Sequence, residues 1–270
     1  MTEAKEFFAE NGYYHARSVF SPDELSAMTT DFDCIVDQIQ ASGAVVDATW
    51  DGAAAQKLMG ESNTILHTHN VQQFSAVWLR AIQQERFLGL AQKILGENIV
   101  LHHTKLFLKP PRTGSPFPMH QDWSYFPTLK DTMIAAIIHV SDATDEMGCL
   151  RVYPESHRLG RMLNSDGRTE NPELQKYPIE NATRVEARAG DVVFFSYCTL
   201  HGSMPNRSDL PRKTVLVQMH AGDDRVEPGN FHANEALTLR GRNFHATRES
   251  AGQMKVLNTL SYQGGRPKES

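Results

Sequence analysis

From Asn98 onward the chain reads as short strands separated by turns, and this texture bounds what it can fold into. Ile99 to Lys109 alternates until Pro110-Pro111 stops it, and residues 112–118 form a loop. Met133 to Val140 is an apolar run consistent with a buried strand. Cys149 to Tyr153 is a short strand bracketed by Gly148 and Pro154. Ala189-Gly190-Asp191 turns into Val192 to Leu200, and Thr214 to His220 is the return strand. Between those two, Met204 to Pro211 holds the Pro, Asn, Ser and Asp of a hairpin loop. Many short strands with turns between them point to a β-sandwich or barrel, in jelly-roll form.

Upstream the texture is helical. Residues 4–10 read as a short helix closed by Asn11-Gly12, and Tyr13 to Phe20 as a strand. Ser21-Pro22-Asp23-Glu24 is a capping box with Pro at the first helical position, so a helix runs from there to about Ala41. Residues 43–63 read as irregular, and Val71 to Leu95 carries helical periodicity ended by Gly96. The expected fold is mainly β: a jelly-roll core over about 98–222 with N-terminal helices, about 1–97, packed against it. Residues 223–270 form an irregular C-terminal segment of the same single domain. At 270 residues the chain is long enough for one large core. Gly160 to Thr183 is too long and polar for a plain connection and reads as a lid, a binding loop or a disordered segment.

Several function classes are disfavoured. A net charge of −5 gives no electrostatic reason to expect nucleic acid or an anionic membrane as partner. The N-terminus lacks the apolar stretch of a signal peptide, and Met133 to Ile138 is too short to span a bilayer. Cys34, Cys149 and Cys198 are odd in number and widely spaced, as reduced thiols of a cytoplasmic protein are.

The chemistry converges on His120-Gln121-Asp122. On an extended strand His120 and Asp122 project from one face. A second histidine from elsewhere would complete a 2-His-1-carboxylate set, which leaves one face of an octahedral Fe(II) open. The triplet alone is weak, because chance supplies one in a chain with 12 histidines and 32 acids. His201 closes the strand on which Val193, Phe195, Tyr197 and Thr199 share its face. Arg212, with Thr214, Leu216 and Gln218 on its face, lies one hairpin away. A guanidinium there suits the far carboxylate of a dicarboxylate co-substrate.

Four blocks in order carry a resemblance. They are His120-Gln-Asp122, Gly148 to His157, Ala189 to Phe195, and His201 to Ser208 with Arg212. Together they resemble the phytanoyl-CoA dioxygenase family of Fe(II)- and 2-oxoglutarate-dependent oxygenases with a double-stranded β-helix core. The resemblance implies that His120, Asp122 and His201 hold iron and that Arg212, with Ser203, binds the C5 carboxylate of 2-oxoglutarate. It also implies co-substrate contacts at Gln121 and Lys105, and turn-stabilising roles for Asn206 and Ser208. Ile137 stands where the family often has an aromatic residue. Asp122 is intact, which disfavours halogenation.

Other groups have plainer readings. His67 and His69 read as loop or pocket wall, and His157 as the fastener of a turn. At most one imidazole of His102-His103 should face the interior. Arg151 and Arg158 read as surface charges. Phe107, Phe117, Trp123, Tyr125, Phe126 and Ile137 form the expected pocket wall. The function expected is therefore a dioxygenase that hydroxylates or desaturates a small, largely apolar organic molecule of secondary-metabolite type, using 2-oxoglutarate and O2. The alternatives are an acyl-CoA hydroxylase of the same family or a catalytically idle jelly-roll binding protein.

Overall fold

The seven-stranded sheet that anchors the fold draws on both ends of the chain. In the computed structural model, residues 2–43, 58, 65–169, 171–228 and 236–246 are described. The helices are α1 (Thr2–Asn11), α2 (Pro22–Ala41), α3 (Val71–Phe74), α4 (Ala76–Ala81) and α5 (Glu85–Leu95). The first strands are β1 (Tyr13–Ala16), β2 (Leu66–His69), β3 (Ile99–Lys109), β4 (Phe117–His120) and β5 (Ile134–His139). Then come β6 (Leu150–Val152), β7 (Thr183–Val185), β8 (Val192–Ser196), β9 (His201–Ser203), β10 (Arg212–Ala221) and β11 (Leu237–Arg240). The large antiparallel sheet has the order β1-β8-β5-β10-β3-β11, with β2 also paired to β3, and the small sheet runs β4-β9-β6-β7.

Period-two alternation assigns each strand two jobs. On β8, Val192 and Phe194 pack towards the helices while Val193 and Phe195 pack towards the small sheet. On β10, Val215, Val217 and Met219 join the helical side, with Trp78, Phe87 and Phe32 across from them. Arg212, Thr214 and Leu216 turn inward and line the cavity between the sheets.

The helical flank departs from expectation in three places. The strand expected at Tyr13 to Phe20 ends at Ala16, Leu66–His69 forms the unexpected strand β2, and the periodic stretch 71–95 is broken. Ser75 breaks the periodic stretch 71–95 by taking an extended conformation and accepting from the Val77 and Trp78 N–H groups. Its own hydroxyl donates to Asp31 of α2. Gln84 caps α5 in the same way, through Phe87 N–H at 2.9 Å. Polar caps override apolar periodicity here, giving three short helices where one was expected. The Ser21 capping box is present in full, with Ser21 and Glu24 exchanging hydrogen bonds. The irregular stretch expected at 43–63 lies almost wholly outside the described residues.

Two further differences shape the site. The expected strand Val192 to His201 ends at Ser196, turns with Thr199 N–H on Ser196 O, and resumes as β9 in the other sheet. His201 and Arg212 therefore face each other across two sheets, not along one hairpin. In β3 the register slips between the partners of Gln218 and Met219, so His103 pairs with Gln218 and Leu101 with Met219. The bulge at His102 lets both imidazoles turn inward, each with its ring 5.3 Å from that of Phe126.

Candidate functional site

β4 and β9 are hydrogen-bonded neighbours, and their register sets His120 opposite His201. Gln121 is extended at φ −115° and ψ 140°, so Asp122 comes round to the face of His120 before the chain enters a 3-10 turn. The ligating atoms of the three residues lie within 4.8 Å of one another, and all three side chains are buried. His120 Nε2 is 3.3 Å and His201 Nε2 3.5 Å from Asp122 Oδ1.

The backbone selects which nitrogen faces the centre. His120 Nδ1 donates to Pro118 O at 2.8 Å and His201 Nδ1 to Thr199 O at 2.9 Å. Both Nε2 lone pairs are thereby presented to the same point. Gln218 Nε2 donates to Asp122 Oδ2 at 2.6 Å, which leaves Oδ1 for the centre. Burial alone would raise the Asp122 pKa, but His201 and His120 hold it well below the usual carboxylate range. Two neutral nitrogens and one anionic oxygen on a single side, each oriented from behind, are a donor set that fits Fe(II).

A second, cationic group closes the same cavity. Arg212 is buried, donates from one terminal nitrogen to Gly148 O, and has no hydrogen-bond partner for Nε among the described residues. Gly148 must be glycine: its φ is +70°, and a Cβ would come within 2.2 Å of Met204 O. Burial lowers the Arg212 pKa to about 10, so the group stays charged at neutral pH. Its register partner Lys109 is fully buried and donates to Ser203 Oγ at 2.6 Å and Met204 O at 2.8 Å. Burial, then Arg212, push Lys109 well below the usual lysine range. No carboxylate pairs with either cation among the described residues. A buried guanidinium beside a buried amine, with no counter-charge, is a costly arrangement that an arriving anion relieves by favouring the charged form of both. His139 adds a buried Nδ1 without a partner among the described residues, and burial followed by Arg212 lowers its pKa to about 3.

The cavity holds about 260 Å³. Phe107, Phe117, Tyr125, Phe126 and Ile137 line it as expected, as do Ser203 and Lys105. Trp123 does not. Its indole N–H donates to Gln121 Oε1 at 2.8 Å and Ser165 Oγ at 3.1 Å. Gln121 is also absent from the wall, because the alternation that brings Asp122 inward turns it outward. There its amide donates to Gly160 O and Cys198 O and accepts from Met162 N–H, fastening the start of the 160–183 segment. Tyr125 Oη on Asp166 O and Arg161 on Asp131 and Glu227 fasten it further. His67 and His69 are wall residues on β2. Arg151 is no surface charge; it is buried and paired with Asp145 at 2.6 Å. Asn206 ties Lys109 O, Pro110 O and Leu210 O together and accepts from Ser208.

Sequence reasoning missed Lys109, His139 and the role of Gln218. Lys109 lies just before Pro110 and reads as a strand-end cation. Its inward parity with Lys105 and Phe107 was the available signal.

Comparison with known proteins points one way. The family model described as phytanoyl-CoA dioxygenase matches residues 8–214. A probable alpha-ketoglutarate-dependent hypophosphite dioxygenase of Stutzerimonas stutzeri is 27% identical, over 99% of this chain and 96% of its own. The ectoine dioxygenase of Nocardia farcinica is 24% identical, over 90% and 86%. Among solved structures, the alpha ketoglutarate dependent epimerase SnoN from nogalamycin biosynthesis superposes with a TM-score of 0.70 at 21% identity, covering 92% of this chain and 96% of that one. The same epimerase has been solved with Fe3+ and alpha ketoglutarate.

Proposed function

Because this chain belongs to the phytanoyl-CoA dioxygenase family and is a non-haem Fe(II)- and 2-oxoglutarate-dependent dioxygenase, we propose that His120, Asp122 and His201 hold its iron and that it hydroxylates or desaturates a small organic molecule. One observation carries the assignment: both imidazoles tie Nδ1 to backbone and turn Nε2 towards Asp122 Oδ1. Iron bound there would couple oxidative decarboxylation of 2-oxoglutarate by O2 to oxidation of an unactivated carbon.

The chain's own part is to bind, orient and keep water out. Arg212 meets the C5 carboxylate of 2-oxoglutarate, with Ser203 beside it. Lys109, not Lys105, is the second basic group at that end, and an arriving carboxylate offsets the burial that pushes its pKa down. Gln218 fixes the rotation of Asp122. Phe195, its ring centroid 4.4 Å from that of His201, and Phe107 and Ile137 exclude water along the same wall. A cavity of about 260 Å³ shared with the co-substrate leaves room for a small molecule only. The names of the relatives, which refer to hypophosphite and ectoine, agree with that size class.

A cytoplasmic location is favoured by Cys34, Cys149 and Cys198, all free thiols. The pairing of β1 with β8 favours one domain, because the helical flank contributes a strand to the main sheet. The test is succinate formation from 2-oxoglutarate with added Fe(II). Turnover that depends on both and is stimulated by a small molecule is expected. No succinate under any condition would leave only a binding protein.

A further inference from the structure

The side of the cavity away from Arg212 carries a second set of basic groups that the co-substrate does not use. β2 lies on the outer edge of β3, with His67 opposite Phe107 and His69 opposite Lys105, so these side chains share one face. His67 stacks on Phe107 with centroids 6.3 Å apart and planes 16° apart, and His69 lies 5.6 Å from His67. Both imidazoles and Lys105 line the same cavity as the candidate iron ligands, and the exposed Arg168 reaches it from the 160–169 segment.

Lys105 is the informative member. Its ammonium lies 5.7 Å from the centre of the Phe126 ring and, among the described residues, makes no hydrogen bond or ion pair. The acid that acts on it electrostatically is Asp122, which is committed to Gln218 and the iron position. Lys105 is four residues from Lys109 on one strand, roughly 13 Å at strand rise. One dicarboxylate anchored at Arg212 does not occupy both poles and the iron position too. An ammonium held without an anionic partner against an aromatic wall is a cost, which a bound acid removes.

We propose that the substrate is a small organic acid, its carboxylate or phosphonate docking on Lys105 between His67, His69 and Arg168 while its carbon skeleton lies against Phe107, Tyr125 and Phe126. The inference rests on the iron and 2-oxoglutarate reading above and names the substrate class for that site. A basic arc set against an apolar wall orients the molecule, so one carbon is presented to the open face of the iron.

Thermal stabilisation of protein loaded with Ni(II) and 2-oxoglutarate tests this, because Ni(II) occupies the site without turnover. The probes are isobutyrate, benzoate and propylphosphonate, each against its amide or dimethyl ester. The expected result is stabilisation by at least one acid and none by its neutral partner. Lys105→Gln should weaken that acid tenfold or more while 2-oxoglutarate binds as in the unaltered protein. Equal response to both members of every pair, including no response, would overturn the proposal alone. So would a Lys105→Gln variant whose loss falls on 2-oxoglutarate. Absence of any stabilisation by Ni(II) with 2-oxoglutarate would instead overturn the iron reading and this inference with it.

Discussion

At the scale of single residues, the site is a set of donors each fixed from behind. Arg212 is the sharpest case. A buried guanidinium facing a carboxylate is worth about 2–5 kcal/mol when truncated. Arg212→Ala should therefore raise the 2-oxoglutarate requirement by roughly thirtyfold to a few thousandfold. Arg212→Lys should restore only part of it, since an ammonium cannot make the paired contact. A titration showing unchanged co-substrate affinity in Arg212→Ala would move the anchor elsewhere. Gln218→Leu removes the hydrogen bond to Asp122 Oδ2 without touching the iron position, and metal affinity should fall roughly 10–100-fold while the fold persists. Equal metal affinity in that variant would make Gln218 mere packing. His120, Asp122, His201, Arg212 and Ser203 were legible because alternation and ordered motifs bring them inward, and the structure gathers all five around one cavity. Gln121 was misplaced against that same alternation. Lys109 was hidden because a lysine at a strand end gives no sign of burial until the facing strand is known.

Elements were legible where a local chemical device sets them. The Ser21 capping box fixes the start of α2, and Ser21→Ala should cost about 1 kcal/mol, a fall in Tm of about 2–4 °C, with turnover unaffected. Unchanged melting would mean that packing of Met28, Phe32 and Ile35 alone sets that helix. β3 and β5 were found to within a residue, because apolar runs bounded by Pro or turn residues have few alternatives. The breaks at Ser75 and Ser196 were not found. Each depends on a partner far along the chain: Asp31 takes the Ser75 hydroxyl, and Met133 O takes the Tyr197 N–H as the strand leaves the sheet. The bulge at His102 was equally invisible, since it appears only in the pairing with β10.

The whole molecule is a two-sheet sandwich whose cavity is basic and rich in imidazoles, and its response to acid follows. His139 is buried, its pKa pushed down to about 3, mainly by burial and then by Arg212. Burial also lowers His103, His120 and His220. A histidine depressed in the fold takes up a proton on unfolding, so stability is lost as pH falls from about 6.5 towards the folded value. Metal-free protein should show a lower urea midpoint at about pH 5 than at about pH 7, and His139→Gln should narrow the gap. An unchanged gap would show that His139 takes up its proton without unfolding. The most direct test of the central assignment is anaerobic Fe(II) titration in the presence of 2-oxoglutarate. One iron per chain is predicted for the unaltered protein, with binding lost in His201→Ala and retained in Arg212→Ala despite weakened 2-oxoglutarate. One iron bound at unaltered affinity in His201→Ala would contradict the account.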